Sequence, residues 1–124
     1  MTFRLIIAGG RDFANYPLLK MRAERYISSR KLENVTIVSG GADGADSLGE
    51  RFAEEHGYRI DRFVPNWSVG RQAGAIRNKE MADASDGLLA FYNGSNGTGN
   101  MILTARRNRL DVEVVKYEKF RYLD

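Results

Sequence analysis

The spacing of apolar residues changes several times along the chain, and each change marks an element. Phe3–Ala8 is apolar at all but one position, the pattern of a strand buried on both faces. From Tyr16 to Arg30 the period lengthens: Leu19, Ala23, Tyr26 and Ile27 recur at helical spacing, with Asn15 placed to cap the helix and Pro17 in its first turn. Val35–Ser39 is a second strand. Ala45–His56 is a second helix with Ala45, Leu48, Phe52 and Ala53 on one side and Gly57 as its C-terminal cap. Arg59–Val64 alternates polar and apolar residues, as a half-exposed strand near a sheet edge does, and Pro65-Asn66-Trp67 turns the chain. A helix over Arg71–Ala84, the uniformly apolar strand Gly87–Tyr92, a helix over Gly99–Arg109 and the strand Val112–Tyr117 complete the series.

Strands that alternate with helices describe an α/β domain with a mainly parallel five-stranded sheet. Right-handed crossovers then bring every strand-to-helix turn to one edge of the sheet, where such folds bind ligands. Three of these turns are rich in glycine: Gly9-Gly10-Arg11, Ser39-Gly40-Gly41-Ala42-Asp43-Gly44, and Asn93-Gly94-Ser95-Asn96-Gly97-Thr98-Gly99. Together they predict a surface of backbone amides and helix N-termini suited to phosphate or another anion.

At 124 residues the chain is sized for one domain and one core. With no cysteine and a single histidine, His56, it has neither thiolate chemistry nor the means for a cysteine or histidine metal site. No metal or cofactor is therefore expected. Met1-Thr2-Phe3-Arg4 leads straight into an apolar run too short to span a bilayer and without a cleavage signal, which predicts a cytoplasmic protein with no membrane partner. The net charge of +3 is small, and its basic residues form no dense run with interleaved aromatics, which argues against a nucleic-acid partner.

The second turn holds two carboxylates. Asp43 is placed either to cap the following helix or to act on a ligand, and Asp46 lies in that helix's first turn. The spacing matches neither a Walker A loop nor G-x-G-x-x-G. In the third helix Arg77 shares a stripe with Ala73, Met81 and Ala84, so its guanidinium either pairs with Glu80 or points along the sheet edge to an anion. Arg71 is a second candidate from the preceding loop. In the fourth-strand turn, backbone amides and the Thr98 hydroxyl suit a phosphate. Trp67 is placed to stack on a base or to cover the core, and Phe13 and Tyr92 carry the same two readings.

Read together, Ala8-Gly9-Gly10-Arg11-Asp12-Phe13, Ser39 through Asp46, Pro65-Asn66-Trp67, Gly70 through Asn78 and Gly94 through Gly99 resemble the YspA/YpsA-type family of the SLOG superfamily, over about residues 3 to 115. The resemblance implies a single Rossmann-like three-layer domain over residues 1–124 with a nucleotide-type pocket. Ligand contacts then fall on Gly9, Gly10, Arg11, Ser39, Gly40, Gly41, Arg71, Arg77, Asn78, Gly94, Ser95, Asn96, Gly97 and Thr98, with Trp67 as the stacking residue. The superfamily includes the lonely-guy phosphoribohydrolases, which carry a helix arginine followed by Pro-Gly-Gly-x-Gly-Thr-x-x-Glu. Arg77 and Gly97-Thr98 match that pattern, whereas Asn93-Gly94-Ser95-Asn96 replaces the proline and glycines and Met101 stands where the enzymes keep their glutamate.

Two functions follow as expectations. The first is a sensing or sequestering module for a nucleotide or nucleotide derivative. The second is an N-glycosidase acting on a nucleoside monophosphate or related compound, whose oxocarbenium-like transition state needs a carboxylate near the sugar. Asp43, Asp46 and Glu80 are the candidates for that role, and Asp12 is a weaker one. A DNA-processing role, as in other superfamily members, is a third and lesser reading. Tyr16, Tyr26 and Phe120-Arg121-Tyr122-Leu123 are candidate surfaces for pairing two copies.

Overall fold

A computed structural model describes residues 1–118. Five strands, β1 (Phe3–Gly9), β2 (Val35–Ser39), β3 (Arg59–Arg62), β4 (Gly87–Tyr92) and β5 (Asp111–Lys116), form one sheet in the order β3-β2-β1-β4-β5. Every pairing is parallel. Four helices connect them: α1 (Tyr16–Ser29), α2 (Ala45–His56), α3 (Ala73–Asp83) and α4 (Asn96–Arg107). A short 3₁₀ turn, Trp67–Val69, precedes α3.

The alternation of side chains along β1 explains the three layers. Leu5 and Ile7 point to one face, where Leu19, Ala23 and Tyr26 of α1 and Phe52 and Ala53 of α2 bury them. Ile6 and Ala8 point to the other, against Met81 and Ala82 of α3 and Met101, Ile102 and Ala105 of α4. Because β1 is covered on both faces, its residues 5 to 7 are fully buried, as the unbroken apolar run predicted. β3 lies at an edge and is partly exposed along its length, in keeping with its polar alternation.

From β1 the chain steps outward through β2 to β3, then returns to lay β4 on the other side of β1. The strand order reverses between β1 and β4, which leaves a crevice beyond their C-terminal ends. Three turns meet there around Gly10. Its amide donates to the Phe91 carbonyl at 3.1 Å, and its carbonyl accepts from Phe13 and Ala45, each at 3.2 Å. Gly44 packs so closely on this carbonyl that a Cβ would overlap it, and its φ of +77° is one that side chains resist.

Several element ends differ from expectation, the start of α4 by the most. α4 starts at Asn96, three residues before Gly99, so Gly97 and Thr98 belong to its first turn. The helical geometry runs back through Gly97, whose first-turn amide needs no intrahelical partner, to Ser95, whose carbonyl accepts from the Gly99 amide at 3.0 Å. Tyr16 and Tyr26 offer no pairing surface, since both are buried within the domain. The Tyr16 hydroxyl donates to Glu55 at 2.5 Å and that of Tyr26 to the Asp111 carbonyl at 2.7 Å. Phe120–Leu123 lies outside the described residues.

Gly44→Ala combines a strained φ with a steric overlap, and we expect it to lower stability by about 3 kcal/mol in urea unfolding. An effect below about 1 kcal/mol would mean that the β1 and β2 turns can separate without cost.

Candidate functional site

A cavity of about 810 Å³ fills the crevice where the strand order reverses. The β1 turn lines it with Gly9, Gly10, Arg11 and Asp12, and the β4 turn and start of α4 with Asn93 through Thr98. Trp67, Arg71, Gly74, Arg77 and Asn78 come from α3 and the segment before it. The size is that of a small-molecule site.

Three helices, α2, α3 and α4, open onto this cavity, and none has a side-chain cap at its N-terminus. By contrast, α1 is capped by Asn15, whose side chain accepts from the Leu18 amide at 3.1 Å. Apart from the amides of Ala45, which donates to the Gly10 carbonyl, and Ala73, which donates to the Gly70 carbonyl at 3.1 Å, first-turn amides without a cap turn to water or to a ligand. An ideal Cβ built on Gly74 of α3 or Gly97 of α4 meets nothing within 4 Å, so both first turns present bare backbone to open space. The Thr98 hydroxyl oxygen accepts from Ser95 Oγ at 3.0 Å and keeps its own hydrogen to donate.

Arg77 does not pair with Glu80. Its Nη1 donates to the Gly40 carbonyl at 2.7 Å and its Nε to Asn78 Oδ1 at 3.1 Å. The bond to Gly40 holds the guanidinium at the β2 turn. Its Nη2 has no acceptor among the described residues. Burial lowers the pKa of the group, an effect that the nearby Asp46 carboxylate opposes. Asn78 is 5% exposed and donates to Asn100 Oδ1 at 2.9 Å, which ties α3 to α4.

Asp46 is the buried carboxylate of the site, 6% exposed, with Oδ2 accepting from the Ala42 amide at 3.2 Å. Burial pushes its pKa up to about 6, against the lowering effects of that amide and of Arg77. A glycine at position 40 is what admits this arrangement, because a side chain there would displace both Asp46 and Arg77.

Not all of the predicted residues meet at the cavity. Asp43 is exposed, does not line it and does not cap α2, whose N-cap is Gly44. Glu80 is also exposed and lies off the lining, because three residues after Arg77 the helix faces solvent. Ser39, Gly40 and Gly41 stand behind the wall. Ser39 Oγ donates to Glu50 at 2.6 Å and accepts from the Gly41 amide at 3.1 Å, so its hydroxyl is already used. Phe13 belongs to the core, whereas Trp67 is 60% exposed and covers no core surface. Asp12 lines the cavity and pairs with Tyr117 beside it; their pairing across 105 positions leaves no local signal in the sequence.

An α/β sheet with a cavity at the reversal of strand order defines a protein of the Rossmann-like type. The chain belongs to the YspA, cpYpsA-related SLOG family (YAcAr), whose family model matches residues 3–70. The matched stretch holds the β1 and β2 turns and stops before Arg71. No curated protein matches the sequence. Solved structures that share the fold include two at low sequence identity. DNA processing protein A (DprA) from Streptococcus pneumoniae superposes with a TM-score of 0.71 at 16% identity, over 92% of this chain and 50% of its own. The protein TM1055 superposes with a TM-score of 0.64 at 17% identity, over 90% of this chain and 72% of its own. The chain thus spans half of the length of DprA. Membership in the family suggests a nucleotide-related ligand. No helix among the described residues is long and apolar enough to cross a membrane.

The raised pKa of Asp46 has a consequence for stability. Between its ordinary value of 3.8 and about 6 the folded protein holds this proton more tightly than the unfolded chain does. The group therefore favours folding at low pH, and this contribution is lost as pH rises through 6. We expect Asp46→Asn to be more stable than the wild type at pH 7.5 by about 1–3 kcal/mol, with the gap closing toward pH 4. Urea unfolding at the two pH values checks this; a gap that does not change with pH would show that Asp46 is not buried as a charge.

Proposed function

We propose that this protein binds a nucleotide or nucleotide derivative in the cavity at the C-terminal ends of β1 and β4, as a sensing or sequestering module. The observation that carries the reading is the convergence of three uncapped helix N-termini, together with Arg11, Arg71 and Arg77, on one cavity within a family associated with such ligands. The phosphate is assigned to the first turn of α4, whose Gly97 and Thr98 line the cavity with bare amides and the Thr98 hydroxyl. Arg71 faces the same space, and the Arg77 guanidinium lies close enough to Asp46 for each charge to act on the other. Trp67, exposed at the rim, is assigned to the base.

A second reading, hydrolysis of an N-glycosidic bond, is favoured by one observation: a carboxyl with a pKa near 6 at the cavity wall can both give and take a proton near neutrality. Asp46 would protonate the departing base as the bond from C1′ to nitrogen breaks. Water would add to C1′ and return its proton to Asp46, yielding the free base and the ribose phosphate. Met101, 1% exposed in the position of the glutamate of the related enzymes, supplies no second carboxylate. Asp46 would therefore serve both steps.

Thermal shifts with a panel of nucleoside 5′-monophosphates and dinucleotides test the binding reading. A member of the panel should stabilise the wild type, and Arg77→Ala should weaken that ligand by about 10- to 100-fold while leaving the domain folded. Shifts that survive the substitution unchanged would make Arg77 a structural residue. Chromatography of the same mixtures separates the two readings. Base release that Asp46→Asn abolishes would establish the hydrolase, and binding without release from any member of the panel would leave a binding module.

A further inference from the structure

We infer that Asp12 is a positioning residue, which acts through the side chain of Asn93 to hold the β4 turn in the shape that opens α4 onto the cavity. The inference rests on the assignment of the phosphate to that first turn, and one arm of its test does not.

Asn93 is gripped at both ends. Its Nδ2 donates to both oxygens of Asp12, each at 3.1 Å, and its Oδ1 accepts from the Ser95 amide at 3.2 Å. Only one orientation of the amide satisfies these partners, because a carboxylate cannot donate and a backbone N–H cannot accept. With Asn93 fixed in this way, the chain passes through Gly94, at φ +99°, and enters α4 at Ser95, whose own side chain caps nothing. The link from Asn93 Oδ1 to the Ser95 amide is therefore the bond by which a side chain before the helix holds the backbone of its N-cap residue.

Asp12 is itself held from the far side. The Tyr117 hydroxyl donates to its Oδ1 at 2.6 Å, and this bond and burial together raise the tyrosine's pKa. Tyr117 is anchored in turn by its backbone amide, which donates to the Tyr92 carbonyl at 3.1 Å, and by an edge-on contact with the buried Phe13 ring. Its hydroxyl sits where a Cβ of residue 10 would be, so the glycine there is a condition of the bond. Asp12 thus joins the β1 turn, the β4 turn and the segment after β5 through one carboxylate. No lysine or arginine among the described residues forms an ion pair with it. With Oδ1 taking two hydrogen bonds and Oδ2 one, most of its acceptor capacity is spent on neutral partners within the protein.

Two measurements test the inference. Without any ligand, amide hydrogen exchange at Ser95 should run at least about fivefold faster in Asp12→Ala and in Asn93→Ala than in the wild type, with no further gain in the double variant. With AMP, GMP, CMP and UMP as probes, and their nucleosides as controls, Asp12→Ala should weaken the best-bound monophosphate by about tenfold and its nucleoside by less than about twofold. Equal loss of both would make Asp12 a general structural residue. Unchanged Ser95 exchange, or effects of the two substitutions that add, would overturn the inference. If Asp12→Ala does not fold, Tyr117→Phe removes only the hydroxyl and should raise Ser95 exchange by about threefold, no change again overturning it. If none of the four monophosphates binds the wild type, the nucleotide reading falls, and the exchange measurement alone decides the role of Asp12.

Discussion

The candidate site depends on how closely three turns approach one another at Gly10. Its amide and carbonyl join the ends of β1, β4 and the start of α2 through hydrogen bonds of 3.1 to 3.2 Å, and a side chain on Gly44 would overlap this backbone as one on Gly10 would overlap the Tyr117 hydroxyl. Gly9 repeats the constraint one residue earlier, where a Cβ would stand 2.5 Å from the Phe91 carbonyl oxygen. The parallel register that places Gly9 opposite Phe91 brings the turns level, and the glycines let them close. Without that approach α2 and α4 would not open onto the same cavity.

Around this nexus the protein keeps polar features that a fold designed only for stability would avoid. Three helix N-termini lack caps, each of which is commonly worth about 1 kcal/mol. Asp46 is buried with one amide donor and, among the described residues, no guanidinium within ion-pair distance. Arg77 is half-buried with one nitrogen uncommitted among the described residues. Costs gathered at one cavity, beside a well-filled core on both faces of the sheet, are what a binding site imposes on the fold that carries it.

Much of the fold was legible in the sequence. The unbroken apolar run of β1, the alternation in β3 and the stripe of Leu19, Ala23, Tyr26 and Ile27 in α1 each record how many faces an element buries, and the structure has each in its predicted place. Of the candidate site, the glycine turns, Arg77 and Asp46 were legible as residues that meet at one cavity. The site was misread where the argument had to pass from a position to a direction. Asp43, Asp46 and Glu80 are alike as letters, but only Asp46 turns inward, because α2 presents residues 45, 46, 49, 52 and 53 to the interior. Ser39 lies in a turn rich in ligand-type residues and yet is committed to Glu50.

The sequence by itself determined the alternation of strands and helices, their amphipathic faces and the clustering of glycines at strand ends. All of these depend on neighbours a few positions apart, which set backbone conformation and periodicity. Only the tertiary structure decided that Arg77 turns to the Gly40 carbonyl, that Asp46 is desolvated, and that Asp12 gathers Asn93 and Tyr117. Those bonds span 37, 81 and 105 positions in the chain, and the partners meet only because the order of strands reverses beside β1.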